Sequence, residues 1–341
     1  MNDVLKYNYV VFNTFDNKYS VDNDGYYTIC LRDLEKVEGV EVVEVVNLPL
    51  SHKSLFLRAL CNIHTSHRAN RYFKIPFQEI WYPYFARIKF NNNKPICFIF
   101  IGRLPLEYIQ YLKKSYKNSK CILLYRDLRS VTARLYPNHV DNSIFDYQMS
   151  IDRQECINYG MVYFDEFESK IEVPVSDNYP ESDVFFAGKA KDRLDRLMQA
   201  YHIFTNAGLK CKFYLMNVEK KDQIALPGIQ YSNSLMPYTE MLYHTVNSRC
   251  VLEINQKEAV GYTSRFLEAV MFNKRLITDN QDVIKSSFYN PENILCIHSM
   301  DEIVPSFVTC KKNVDYHYNN EFSPINLIHQ IDNLLVNKIN Q

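Results

Sequence analysis

Glycine is scarce in this chain, eight residues in 341, which excludes collagen-like repeats and glycine-rich linkers. Net charge is missing as well: 39 lysines and arginines stand against 39 aspartates and glutamates. That balance leaves no basic excess for holding nucleic-acid phosphates, so no nucleic-acid partner is expected. Long apolar runs are absent too. The longest, residues 95–102, is about eight residues against the ~20 that span a bilayer, and the opening segment has no signal-peptide apolar region. A cytoplasmic protein is therefore expected. No two of the nine cysteines form a CxxC pair, which removes the commonest zinc and redox patterns. Cys30, Cys97, Cys121, Cys211, Cys250 and Cys296 stand among aliphatic and aromatic neighbours and read as buried free thiols of a reducing compartment.

What is present is ordinary globular material, 47% hydrophobic and 23% charged, with 26 Tyr and 21 Phe as its one compositional excess. A chain this long favours two domains of roughly 150 residues each. Short apolar runs at 9–12, 40–46, 96–101, 121–125 and 161–164 alternate with helical periods near 26–37, 52–70, 105–117 and 151–159. A proline-containing polar stretch at 168–183 reads as a linker. A second series follows, with strands at 184–187, 211–216, 250–254, 275–278 and 294–297, and helices at 191–206, 238–247, 264–273 and 301–308. Such alternation makes parallel sheets wrapped by helices, so the class is α/β with two Rossmann-like domains. The expected division is residues 1–172 and 173–322. A terminal helix, 323–341, starts at Ser323-Pro324 and is expected to return to the N-terminal domain.

Two stretches have the residue types for binding an anion. In the first, Gly188 stands between a strand and a helix with Lys189 and Lys191 beside it. Glycine admits a close ligand, and the helix start offers free N–H groups to a phosphate. Neither P-loop nor GxGxxG spacing is present. The second stretch, 255–279, reaches Gly261 and enters a helix through Thr263 or Ser264, either of which can cap it. Arg265 and Glu268 are three residues apart and share a helix face. Helix N–H groups, the Thr263 hydroxyl and the Arg265 guanidinium together suit a diphosphate, and Glu268 suits a pair of ribose hydroxyls. A plain surface Arg–Glu pair is the alternative reading.

Tyr238-Thr-Glu-Met-Leu, the strand 251–254, Gly261-Tyr-Thr-Ser-Arg-Phe-Leu-Glu-Ala269 and the strand ending Ile277-Thr278-Asp279 resemble the donor domain of the two-Rossmann-domain (GT-B) glycosyltransferases. Coverage is best over residues 183–300; the N-terminal half matches in architecture only. The resemblance implies two domains facing across a cleft and a nucleotide-sugar pocket. In it, Glu268 would hold ribose, Arg265 and Lys189 the diphosphate, and Thr263 with the Gly261 backbone the phosphate region, beside the Gly188 turn and the Ser264 helix start read above. The chain departs from retaining members, which carry a second glutamate eight residues earlier, where this chain has Val260. The Gly-x-Thr-x-Arg-x-x-Glu form is similar to that of bacterial surface-polysaccharide transferases, lipopolysaccharide assembly among them.

The N-terminal half would then hold the acceptor, with a general base from Asp16 or Asp127, each following a strand. His52, His64 and His67, with Arg68 and Arg71, read as a solvated helix face or an acceptor-phosphate patch rather than a metal site. Asp22-Asn-Asp24 reads as turn chemistry. No metal and no cofactor is implied. The run 71–90, with eight aromatics and four basic residues, suits peripheral contact with the inner face of the cytoplasmic membrane or with a lipid-linked acceptor. The expected activity is hexosyl-type transfer from a nucleotide-diphosphate sugar to a glycan or lipid-linked acceptor, without metal. A nucleotide-sugar 2-epimerase, or a non-catalytic nucleotide-sugar-binding scaffold, is the alternative.

Overall fold

The computed structural model describes residues 4–13, 25–44, 54–66, 75–86, 88–102, 104, 106–129, 142–174, 178–256 and 261–339. The chain divides into two compact units. One comprises Met1–Lys18, Leu31–Phe164 and Pro324–Gln341; the other comprises Tyr19–Cys30 and Asp165–Ser323.

The first unit is built on a six-stranded parallel sheet: β1 (Asn8–Asn13), β2 (Val40–Glu44), β3 (Ile96–Ile101), β4 (Lys120–Tyr125), β5 (Tyr147–Ser150) and β6 (Val162–Tyr163), in the order β2-β1-β3-β4-β5-β6. Strands β1, β3 and β4 are almost wholly buried, as a parallel sheet covered on both faces requires. The helices of this half of the chain are α1 (Tyr26–Cys30), which belongs to the second unit, α2 (Leu55–Thr65), α3 (Leu106–Ser115) and α4 (Arg153–Tyr159). Phe12 and Phe100 are register partners across β1 and β3, and their rings stack at 5.3 Å. Tyr108 of α3 closes edge-on over Phe12 at 6.0 Å, and with Ile109 and Leu112 it forms the buried stripe of that helix. Helix α4 starts where the Asp152 carboxylate accepts the Glu155 N–H and stops at Gly160, whose φ of 65° ends the helix in the left-handed region.

The second unit repeats the plan with β7 (Ser182–Lys189), β8 (Cys211–Met216), β9 (Ile229–Ser232), β10 (Ser248–Glu253), β11 (Arg275–Thr278) and β12 (Ile294–Cys296). All are parallel, in the order β12-β11-β10-β7-β8-β9. Helices α5 (Leu194–Asn206), α6 (Tyr238–Val246), α7 (Ser264–Met271) and the short α8 (Pro305–Val308) connect them. Phe186, Phe204, Phe213, Leu252 and Ile277 are all buried in one core cluster between sheet and helices. The last helix, α9 (Pro324–Ile339), packs within the first unit. Its buried Asp332 accepts hydrogen bonds from Lys6 N (3.0 Å), Tyr7 N (3.3 Å) and the Tyr9 hydroxyl (2.6 Å). Gln330 donates to Tyr163 O at 2.8 Å.

The α/β class and the two Rossmann-like sheets are those expected, and the details differ in three places. Strands β5 and β9 add a layer to each sheet that the apolar runs do not reveal, because both carry polar residues at alternate positions. The period at 26–37 breaks into α1 and a 3-10 turn, Arg32–Lys36, at the point where the chain passes from one unit to the other. The stretch 168–183 is tied into the second unit: Glu168 N donates to Phe322 O at 2.8 Å, Ser169 N to Cys30 O at 3.2 Å, and β7 begins at Ser182.

Cys30, Cys97, Cys121, Cys211 and Cys250 are buried free thiols, whereas Cys296 is half-buried; burial raises Cys121 to about 12 and Cys296 to about 11. Among the described residues no helix is long and apolar enough to cross a membrane.

Candidate functional site

Counted along the chain, the strands of the second sheet lie in the order 3-2-1-4-5-6, so the winding reverses between β7 and β10. In an open parallel sheet this reversal leaves a crevice at the carboxyl ends of the two strands, where ligands bind. Gly188 and Lys189 end β7, and Glu253 ends β10.

Two arginines converge there. Arg193, just before α5, is buried, and its guanidinium spans the crevice floor: Nε and Nη2 donate to Lys189 O at 3.1 and 2.9 Å, and Nη1 donates to Ile254 O. It thereby bolts the end of β7 to the end of β10. Arg265, in the first turn of α7, is half-buried and donates from Nη2 to Ala187 O. Both guanidiniums lie over the Phe186 ring, at 5.2 and 5.0 Å from its centroid. A Cβ at Gly188 would collide with Arg265 Nη2 and stand 3.0 Å from Arg193 Nη2, so the two guanidiniums hold these positions because the residue is glycine. Neither arginine has an ion pair among the described residues, and Arg265 Nε is buried without a hydrogen-bond partner. Burial, and then the neighbouring Arg265, push Arg193 down to about 9, which leaves it protonated at neutral pH.

Carboxylates sit behind this positive pair. Glu253 is fully buried and accepts from the Thr263 and Thr278 hydroxyls, one on each oxygen. Burial raises its pKa, and the two hydroxyl bonds pull it back down. Thr263 is also the N-cap of α7, accepting from Arg265 N at 3.2 Å, so one hydroxyl links the end of β10 to the helix start. Glu268, almost fully buried on the next turn, accepts from the Tyr238 hydroxyl at 3.1 Å. Burial lifts it to about 8, against the lowering by Arg265.

Beside these groups, at the ends of β10 and β11, lies a polar cavity of about 330 Å³ lined by Arg196, Asn255, Gln256, Asp279, Asn280 and Gln281. The Asp279 carboxylate is braced by Asn255 N and Arg196 Nη1, both at 2.7 Å. Gly261, in the left-handed region at φ 68°, offers its carbonyl to Asn280 Nδ2 at 2.9 Å.

The residues expected from sequence distribute unevenly. Gly188, Arg265, Thr263, Ser264 and Gly261 gather at this carboxyl edge. Lys189 is there with an exposed side chain, while its carbonyl holds Arg193. Asp127 follows β4 in the first unit and is exposed, with an interaction of its own. Asp16, Val260, His52, His67 and Asp22 through Asp24 lie outside the described residues. His64 is committed structurally: Trp81 Nε1 donates to its Nδ1 at 2.7 Å. Sequence reasoning missed Arg193, Arg196, Glu253, Thr278 and Asp279. The one available signal was Glu253, a charged residue inside the apolar run ending at Ile254.

No protein-family model matches the sequence, and no curated protein matches it. Among solved structures the chain is similar to the N-terminal domain of Candida albicans trehalose-6-phosphate phosphatase, with 9% identity, 92% of this chain and 91% of that one covered, and a TM-score of 0.50. It is also similar to the α,α-trehalose 6-phosphate synthase from Burkholderia multivorans (9% identity, 90% and 88% covered, TM-score 0.42). A third similarity is to TarM (9% identity, TM-score 0.41), which covers 63% of this chain and spans 47%, about half, of TarM. At such identities the likeness is one of fold.

Proposed function

We propose that the protein is a glycosyltransferase that takes a sugar from a nucleotide-diphosphate donor bound at the carboxyl edge of the second sheet. One observation carries this reading: two guanidiniums, Arg193 and Arg265, meet at the reversal point of that sheet without an ion pair among the described residues. Burying like charges together is costly unless an anion joins them. A diphosphate supplies the charge, and the helix N-terminus and glycine make room for it.

In this reading Arg265 grips the diphosphate, and Arg193 supplies charge while fixing the strand ends. Gly188, Gly261 and the Lys189 ammonium complete the phosphate region, with Ser264 at the helix start. Thr263 positions Arg265, since its hydroxyl is already bonded to Glu253. Glu268, anchored by Tyr238, takes the ribose hydroxyls. An acceptor hydroxyl attacks the anomeric carbon, the bond from that carbon to the diphosphate oxygen breaks, and the arginines stabilise the charge that gathers on the leaving group. Asp127 or Asp16, from the first unit, takes the hydroxyl proton. Hexosyl transfer in surface-polysaccharide assembly, to a glycan or lipid-linked acceptor, fits a site of this kind. The cationic pair supports leaving-group stabilisation without a metal.

The test is a thermal-shift panel of UDP, GDP, CMP and dTDP compounds, followed by product analysis with the labelled sugar of whichever nucleotide stabilises the fold. Transfer that survives chelation supports the reading. Isomerisation of the donor would mark a 2-epimerase, binding without turnover would mark a scaffold, and no stabilisation by any nucleotide would refute the donor site.

A further inference from the structure

Phe77 is an aromatic residue held in a conformation that bulky side chains avoid. Its backbone lies in the left-handed region, at φ 60° and ψ 31°, where the 3-10 turn Gln78–Tyr84 begins, and its side chain is 70% exposed. Strain of this kind persists only where the surroundings impose it. His64 of α2 imposes it from both sides. Its Nδ1 accepts from Trp81 Nε1 at 2.7 Å, so Nε2 carries the ring proton and donates to Pro76 O at 2.6 Å; its carbonyl accepts from Gln78 Nε2 at 3.2 Å. The residues before and after Phe77 are thereby pinned to one side chain and its backbone. Within the run 71–90, Trp81, Tyr82 and Phe85 are buried in the core of the unit, and Phe77 is turned outward.

Phe77 lines a cavity of about 490 Å³, within the ~300–1,000 Å³ range of small-ligand sites. Glu79 and Tyr82 line it from the same turn. Helix α3 contributes Glu107, Gln110, Tyr111 and Lys114, which follow the i, i+3, i+4, i+7 spacing of one helix face. The Tyr82 and Tyr111 rings stand 5.4 Å apart, and the buried Tyr108 stacks on Tyr111 at 6.2 Å, so this aromatic wall is braced. Burial, and then the Glu107 and Glu79 carboxylates, push the Tyr82 hydroxyl up to about 12, so at neutral pH it is a donor. Ring faces are thus joined to groups of mixed polarity: the carboxylates accept, the Lys114 ammonium and the tyrosine hydroxyls donate, and the Gln110 amide does both. A sugar has the matching surfaces, an apolar face of C–H bonds and a rim of hydroxyls. We infer that this cavity binds a neutral glycan, with Phe77 as the ring on which a sugar stacks. Among the described lining residues two carboxylates stand against one ammonium, which disfavours a phosphate-bearing or other anionic polymer. The site lies wholly in the first unit and needs no nucleotide. It adds retention of a saccharide chain to the transfer proposed above.

The test is retention of the full chain, with no nucleotide present, on an array of neutral and anionic oligosaccharides, followed by titration with the neutral glycan held best. Retention of neutral glycans is expected, and it should persist at high salt because no net charge is exchanged. Phe77→Gly removes the ring at a backbone conformation that glycine adopts freely, so the melting temperature should hold or rise while affinity falls by about tenfold or more. Phe77→Tyr keeps the aromatic face and should bind like the parent. Gln110→Ala, on an exposed helix face, should also weaken binding with no loss of stability. Because the assay contains no nucleotide, its outcome is independent of the donor site. Retention of no neutral glycan, retention of anionic glycans alone with release by salt, or binding by Phe77→Gly as tight as the parent's would each overturn the inference.

Discussion

The two sheets end differently at their reversal points. In the second, the carboxyl edge between β7 and β10 holds Arg193, Arg265 and Glu253, with Glu268 on the next turn of α7, and the ends of β7, β10 and β11 are tied to charged or hydroxyl side chains. In the first, where the winding reverses between β1 and β3, the terminal residue is Asn13, buried and neutral, and among the described residues neither its amide nitrogen nor its oxygen has a hydrogen-bond partner. Among the described residues the same architecture therefore carries a charge cluster at one reversal point and a neutral amide at the other. Fold alone does not place a site; the side chains that the strand ends collect do.

Burial sets the protonation of Glu268 beside the second edge. Glu268 ionises near 4.5 as an ordinary glutamate and near 8 in the folded chain, chiefly because it is buried. Between those values the folded state holds a proton that the unfolded chain has released. Its contribution is therefore complete below about pH 4.5 and is lost as pH rises toward 8, at up to about 1.4 kcal/mol per pH unit. Glu268→Gln should flatten that slope in denaturant titrations run across the range. An unchanged slope would show that Glu268 is ionised when folded.

Truncating the two polar residues at the strand ends sharpens the contrast. Arg193→Ala removes three hydrogen bonds, two to Lys189 O and one to the buried Ile254 O, and should cost about 3 kcal/mol of stability. Asn13→Ala removes an amide with no partner among the described residues and should change stability by less than about 1 kcal/mol. Comparable losses in urea unfolding would erase the distinction. A smaller effect is expected at Gly188. A methyl there displaces the mobile end of Arg265 more readily than the fixed Arg193, so Gly188→Ala should weaken diphosphate binding by about tenfold, or 1.4 kcal/mol. Stability should fall by no more than that, and a titration calorimeter with a parallel melt separates the two effects.

How much of this the sequence disclosed follows from what local pattern can carry. The core strands were legible because Ile96–Ile101 is apolar throughout, Cys211–Met216 is apolar but for Lys212, and both are buried along most of their length. Edge strands β6 and β9 are half-buried. The polar residues of β9 hide it from an apolar-run reading. Thr263, Arg265 and Gly188 were legible because capping, helical spacing and glycine are local chemistry. Arg193 was not, since it reads as one more basic residue near a helix start; its burial depends on Ile254 O, 61 residues away in sequence. Helical spacing puts Glu268 on one face with Arg265 but does not show that it accepts from the Tyr238 hydroxyl on a neighbouring helix. Periodicity likewise shows that α2 has an apolar face but not which side the rest of the unit covers. Partners brought together by sheet order lie beyond local pattern.

The central claim is that Arg265, beside Arg193, receives a diphosphate. Calorimetric titration of the parent and of Arg265→Ala should compare the diphosphate of the nucleoside that stabilises the fold with the bare nucleoside. The parent should prefer the diphosphate, and the variant should lose about 10- to 150-fold of diphosphate affinity, as expected for a charge-assisted hydrogen bond of roughly 1.5–3 kcal/mol, with little change for the nucleoside. If the variant binds the diphosphate as tightly as the parent, the arginine pair is structural and the donor site lies elsewhere.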